Sequence, residues 1–151
     1  EVKEPNQKRE LLRRIVVVGA YLKRRNNLIL VNEQDGFIKA EELNLSIQEM
    51  MKNLQLAGIR CAGSVDFEGD LPAGAAMRLF DFYEYVVENA FEGLQSLLAR
   101  FFYRDSSFYA CIDAVCTLDL TTLQTDNISV SKTDENYYTL SFKLEGGVGK
   151  R

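Results

Sequence analysis

Two hydrophobic periods run along this chain, one of helices and one of strands. From Glu10 to Leu30 the apolar positions follow a heptad. Leu12, Gly19 and Asn26 take one seam position and Ile15, Leu22 and Ile29 take the other. A repeat of about 3.5 residues lines all six along one stripe of a helix, and such a stripe needs a partner surface. Asn26 on the seam fixes register at a cost in stability, and Gly19 lets two backbones approach closely. The expected partner is a second copy, giving a homodimer; the competing reading packs this helix on its own domain. The runs Val16-Val17-Val18 and Leu28-Ile29-Leu30 also suit strands.

Beyond the Asp35-Gly36 turn signal, Ile38 to Leu56 reads as a helix with Leu43, Ile47, Met50, Met51, Leu54 and Ala57 on one face. Gly58 is placed to stop it. Ile59, Cys61, Gly63, Val65 and Phe67 alternate, predicting a strand with one buried face. Glu68-Gly69-Asp70 turns the chain, and Leu71-Pro72 precedes the next helix. The spacing predicts that helix over Arg78 to Arg100, with Leu79, Phe82, Tyr83, Val86, Val87, Ala90, Leu94, Leu97, Leu98 and Phe101 on its apolar face. Arg104 to Ser107 reads as a loop. Phe108 to Leu118 reads as a strand with Phe108, Ala110, Ile112, Ala114, Cys116 and Leu118 inward. Asp119 to Asp126 is a polar connection. Ile128 to Ser131 and Tyr137 to Leu144 form a closing hairpin with Tyr138, Leu140, Phe142 and Leu144 on one face. The predicted order is helix, strand, helix, strand, strand, strand. It is an α+β fold, a two-layer sandwich with helices on one face of a mixed sheet, preceded by an N-terminal helix.

Charge divides the chain into regions. Residues 1–30 hold eight Lys or Arg against three Glu, a net of +5, and residues 31–151 hold ten against nineteen, a net of −9. A basic arm (1–34), an acidic globule (35–145) and a flexible tail (146–151) follow. Apart from Tyr21 the arm interleaves no aromatic residue with its cations, which argues against nucleic acid. The longest apolar run near it, Ile15 to Leu22, falls short of the roughly 20 residues of a membrane span. Cys61, Cys111 and Cys116 have neither CxxC nor zinc spacing and read as free thiols in a reducing, cytoplasmic compartment. The chain has no histidine, which excludes His-based triads, imidazole metal sites and a phosphoacceptor histidine in this segment.

The carboxylates give no hydrolase. Glu84, Glu88 and Glu92 form an i, i+4 ladder expected on a solvated helix face. Asp66, Asp113 and Asp119 are dispersed, and Asp113 is expected in solvent. The tail Gly146-Gly147-Val148-Gly149-Lys150 hints at a P-loop but lacks the leading glycine, because position 144 is Leu144. Asn89, beside an apolar stripe, either bonds neighbouring backbone or serves a ligand.

The element order, with Val87-Glu88-Asn89-Ala90 on the second sandwich helix, resembles the Bergerat-like fold of the histidine-kinase-like ATPases, the GHKL group of sensor kinases, gyrase and MutL. The resemblance covers about Ile38 to Leu144. The basic helix ahead of it resembles a shortened dimerisation helix of a sensor histidine kinase, and Tyr137 to Phe142 leading into Gly146-Gly147 resembles the last strand of the domain. It implies that Asn89 stands where the family's N-box asparagine binds magnesium and the triphosphate, with Glu88 beside it in the nucleotide site.

The chain departs from the family elsewhere. Tyr85 stands where Glu or Asn is usual, and Glu92 and Gly93 stand where Lys and His or Tyr follow. The first glycine box should fall near Asp119, which is followed by Leu120-Thr121-Thr122-Leu123. No glycine occurs between Gly93 and Gly146. Glycines there let backbone N–H groups approach phosphates, which bulkier residues obstruct.

The expectation is therefore a cytoplasmic signal-transduction module derived from a two-component sensor kinase, a pseudo-kinase without phosphotransfer and with weak or no ATP binding. A membrane-borne sensor region in the same parent protein is a further expectation. One alternative is a reduced but working autokinase using ATP and magnesium, with Asn89 as metal ligand and Glu88 as base, though phosphoryl transfer needs more groups than these two. The other is a non-enzymatic dimeric adaptor.

Overall fold

The computed structural model describes residues 11, 14–15, 17–19, 22–23, 26–32, 34 and 36–144. The described residues between 11 and 32 are helical and constitute α1; neither apolar run forms a strand at its described positions. Gly36 N–H and Gln34 N–H both donate to the Val31 carbonyl, closing the end of α1. Then follow β1 (Phe37–Lys39), α2 (Ala40–Leu56), β2 (Arg60–Asp66), β3 (Asp70–Pro72) and α3 (Ala73–Ala90). A 3-10 turn (Phe91–Gly93) leads into β4 (Leu94–Arg104) and β5 (Ser107–Cys116). A second 3-10 turn (Leu120–Leu123) precedes β6 (Ile128–Asp134) and β7 (Tyr137–Leu144).

Five strands form a mixed sheet in the order β2-β4-β5-β7-β6, with β2 parallel to β4 and the other pairs antiparallel. The helices cover one face, and β1 and β3 form a separate antiparallel pair. The α+β sandwich read from the sequence is the observed one.

α2 packs on β2 through Leu43, Ile47, Met50, Met51 and Leu54, all buried. Gly63 permits the approach: a Cβ there would lie 2.8 Å from Ile47 Cγ2. Gln48 and Gln55 reach across and donate to the carbonyls of Gly63 and Cys61. The helix starts at Ala40 rather than Ile38, because Ile38 pairs with Leu71 in the small sheet. Gly58 ends it at a φ of 92°, a conformation costly for any residue with a Cβ.

The largest departure from expectation is the segment Arg78–Arg100. α3 begins earlier, at Ala73, and ends at Ala90. Leu94, Leu97, Leu98 and Phe101 lie on strand β4 instead of a helical face. Their spacing satisfies a helical period, but Leu97, Ala99 and Phe101 also satisfy a period of two and are buried, and Leu94 is buried too, across an irregularity in the ladder between Leu94 and Ser96. β4 is hydrogen-bonded to β2 on one side and β5 on the other, so its backbone is fully engaged in a ladder that outweighs local helix preference. The aromatic run Phe101-Phe102-Tyr103 suits a strand as well.

Three smaller corrections follow from pairing. Where the pattern predicts a helix start and a linker, β1 and β3 pair antiparallel. The loop after Arg104 contracts to a two-residue turn, Asp105 and Ser106, at φ of 54° and 66°. Leu118 lies past the end of β5 and is exposed. The closing hairpin is as expected, with Tyr138, Leu140, Phe142 and Leu144 buried and Asn136 at a φ of 65°.

Candidate functional site

The C-terminal end of α3 carries Glu84, Glu88 and Asn89. Asn89 is exposed, and its side-chain amide donates to the Tyr85 carbonyl one turn back, at 2.7 Å. This is the local backbone bond a mid-helix asparagine often makes. Glu88 faces the N-terminal helix. Arg14 donates to the Glu88 carbonyl at 3.2 Å and pairs with its carboxylate at 3.9 Å. The same guanidinium pairs with Glu92 at 3.6 Å and lies 5.8 Å from the Phe91 ring centre.

Glu84 corrects the expectation of a solvated ladder. It is only 6% exposed, while Glu88 and Glu92 remain on the surface. Its helical neighbours Phe80, Val87 and Phe91 are all buried, so the carboxyl lies in an apolar strip. Burial pushes its pKa up to about 8, helped by the hydrogen bond to Glu88 and the charges of Glu88 and Asp81, and opposed by Arg14. One carboxyl oxygen, Oε1, and the neighbouring Tyr83 hydroxyl are buried without a hydrogen-bond partner among the described residues. Apolar Phe80 and Val87 stand one turn either side of Glu84, but so do polar Asp81 and Glu88, so no local signal in the sequence marks its burial. Arg14 gave none either.

At the place expected for the first glycine box, Asp119 caps the 3-10 turn. Its Oδ1 accepts from Thr121 N at 3.0 Å and Thr121 Oγ1 at 2.6 Å, and these bonds hold the carboxyl below its usual range. Leu120 and Leu123 of the turn insert into the core. The connection therefore closes on the hydrophobic interior, and its polar groups bond one another. Gly93 opposes it closely, since a Cβ there would lie 2.5 Å from Thr117 Oγ1.

A cleft of about 360 Å³ opens between α3 and the start of β6, lined by Arg78, Asp81, Phe82, Tyr85, Thr125, Asn127, Ile128 and Phe142. That is the low end for a small-molecule site. Phe82 stacks on Phe142 with ring centres 5.4 Å apart, and Arg78 lies over the same ring. Neither Asn89 nor Glu88 lines this cleft. Among the described residues no three of His, Cys, Asp or Glu are grouped to hold a metal ion.

Of the heptad seam, Ile15 is 55% and Leu22 49% exposed, Gly19 and Asn26 are exposed, and Ile29 is half-buried. Leu12 lies outside the described residues, as does Gly146 to Lys150. Exposed Leu11 and Leu30 flank the stripe. Val17 and Leu28, on another face of α1, join the globular core. Asp113 is half-exposed, accepts from Thr139 Oγ1 at 2.7 Å and pairs with Arg100 at 3.6 Å. Cys61, Cys111 and Cys116 are free thiols, and only Cys116 is fully buried. No helix among the described residues is long and apolar enough to cross a membrane.

No protein-family model matches the chain, and no curated protein matches it in sequence. Solved structures do. A blue-light activated histidine kinase of Erythrobacter litoralis superposes with a TM-score of 0.56 at 12% identity over 85% of this chain, which spans 55% of that one. The histidine kinase domain of that protein gives 0.52 at 11% identity, covering 90% of this chain and 85% of the other. The Acinetobacter baumannii histidine kinase AdeS gives 0.51 at 10% identity, covering 91% and 83%. The fold is that of a histidine-kinase catalytic domain.

Proposed function

We propose that this chain is a kinase-derived signal-transduction module that has lost phosphotransfer, binds ATP weakly or not at all, and works in the cytoplasm through dimerisation and conformational relay. The observation that carries this reading is the connection from β5 to β6. Where the family's phosphate loops are expected, Asp119 is engaged by Thr121, and Leu120 and Leu123 are buried. Within that turn the Thr121 amide donates to Asp119 and the Gln124 amide to the Thr121 carbonyl. The end of α3 is a poor fit for magnesium triphosphate too. The Asn89 amide is bonded to Tyr85, and Glu88 and Glu92 share a cation from their own chain.

Isothermal titration of the full chain with ATP and magnesium tests this. The expected result is no measurable heat of binding; a micromolar dissociation constant would overturn it.

Dimerisation rests on the exposed stripe of α1. Leu11, Ile15, Leu22 and Asn26 fall within roughly a quarter of the helix circumference at about 100° per residue, away from buried Val17 and Leu28. A double substitution, Ile15→Lys with Leu22→Lys, is expected to convert a dimer to a monomer in sedimentation velocity without unfolding the sheet. A monomeric parent chain would remove this part of the proposal.

A further inference from the structure

The helices pack on one face of the five-stranded sheet, and the strand pairing fixes what stands on the other. Phe102 of β4 lies directly across from Tyr109 of β5, and Lys143 of β7 lies on the far side of Tyr109. The planes of the two rings are 9° apart and their centres 5.2 Å apart. The Arg104 guanidinium is 5.2 Å from the Phe102 centre and 5.8 Å from the Tyr109 centre, and Lys143 Nζ is 5.9 Å from the latter. The next row across the sheet is Arg100, Cys111 and Ser141, and the one after it is Leu98, Asp113 and Thr139. Of these, Phe102, Tyr109, Cys111, Asp113 and Thr139 are half-buried and the rest exposed. Asp113 is the one acid at the outward positions of β4, β5 and β7, and Arg100 and Thr139 already engage it.

We propose that this open face binds single-stranded nucleic acid, a base stacking on the Phe102–Tyr109 pair and phosphates meeting Arg104 and its neighbours. Charge selects a polyanion. The outward positions of β4, β5 and β7 carry Arg100, Arg104 and Lys143 against Asp113, on a region whose net charge is −9. The rings select an unpaired strand, because only splayed-out bases can lay their faces on aromatic side chains. A guanidinium over the same rings stacks on a base or turns to a phosphate with equal ease. The basic arm lacks aromatic residues among its cations; this face has them. Thr139 and Ser141 in the neighbouring rows offer hydroxyls to base edges or to a ribose. A peptide added as a further strand is the weaker occupant. Gln48 and Gln55 already bond carbonyls of the edge strand β2, and Gln124 accepts from the Val130 N–H of the other edge, β6. The proposal is independent of dimerisation and of what α3 binds.

Fluorescence anisotropy of labelled octamers of uridine and of deoxythymidine, titrated with the full chain, tests the face. The chain's own negative charge keeps the affinity modest, so the expected dissociation constant is on the order of 10–100 μM at 50 mM salt, weakening about tenfold by 200 mM. Tighter binding of the RNA would show the hydroxyl rows reading the ribose; equal binding would show stacking and phosphate contact alone, and either supports the platform. Tyr109→Leu keeps an apolar side chain but loses the π-face, and Arg104→Gln removes one charge. Each is expected to weaken binding at least about fivefold. Lys52→Gln, the same charge loss on α2 across the molecule, is expected to change it less than twofold, and circular dichroism checks that every variant is folded. Absence of binding at 50 mM salt would overturn the proposal. So would binding that survives both face substitutions, which belongs to the basic arm, or equal losses in Arg104→Gln and Lys52→Gln. Sedimentation with phosphatidylserine vesicles by a chain that ignores both octamers would also overturn it, in favour of a lipid surface.

Discussion

Glu84→Gln is expected to remove most of the pH dependence of stability between about pH 4.5 and 8. In the native protein the Glu84 carboxyl holds its proton up to about pH 8, mainly because burial disfavours the charge. In the unfolded chain it loses the proton near its ordinary value of about 4.3. Across that interval the native state binds one more proton than the unfolded state. Stability is therefore full below the unfolded value and falls as pH rises through the folded one. At about 1.4 kcal/mol per pKa unit, a rise from about 4.3 to about 8 sets the total loss at roughly 5 kcal/mol at most. The chain offers an unusually clear window for seeing it, because it has no histidine to titrate there. Glutamine keeps the shape and a donor toward Glu88 but cannot ionise. Urea unfolding at steps from pH 5 to 9 should show the parent weakening and the variant staying level, the variant being the more stable at pH 9. A parent whose stability rises or stays flat from pH 5 to 8 would mean that the carboxylate is accommodated charged.

The same residue shows what could be read from the chain and what could not. The layers, the closing hairpin and the inward faces of α2, β2, β5 and β7 were legible because each buries one face against one neighbour, so a single period appears. α3 is covered on two faces, by the sheet and by α1, and its buried set includes Phe80, Tyr83, Glu84 and Val87 around much of the circumference. A helix in that position hides its polar members. Glu84 looked like one rung of a surface ladder because its burial depends on where α1 lies, which no local pattern encodes. Arg14 was one cation among eight near the start of the chain. Its role depends on a partner 74 residues away. The small strands β1 and β3 were missed because three residues carry no period. At the candidate site, the missing glycines after Asp119 were visible in the sequence. How the connection is filled, with two leucines inward and Thr121 on Asp119, was not.

The boundary between α3 and β4 separates helix from strand by energetics. In a helix running to Arg100, Leu94, Leu97, Leu98 and Phe101 would share one apolar face, and trimming Leu98 would cost about as much as trimming its neighbours. In the strand, Leu98 and Phe101 point to opposite faces: Phe101 is fully buried beneath the helices, and Leu98 is 42% exposed on the open side of the sheet. Phe101→Ala is expected to destabilise the protein by about 3–5 kcal/mol, the range for a large aromatic removed from a packed interior. Leu98→Ala is expected to cost under about 1 kcal/mol, because roughly half of its side chain is already hydrated and little cavity is left behind. The contrast matters for function, since β4 is the second strand of the sheet and, with β5, fixes where the end of α3 meets the 3-10 turn at Asp119. Chemical denaturation of the two variants at one pH below 5, where Glu84 is protonated in the native state, isolates the packing terms. Equal losses in both variants would return the segment to a helix and dissolve the sheet order on which the kinase-like fold depends.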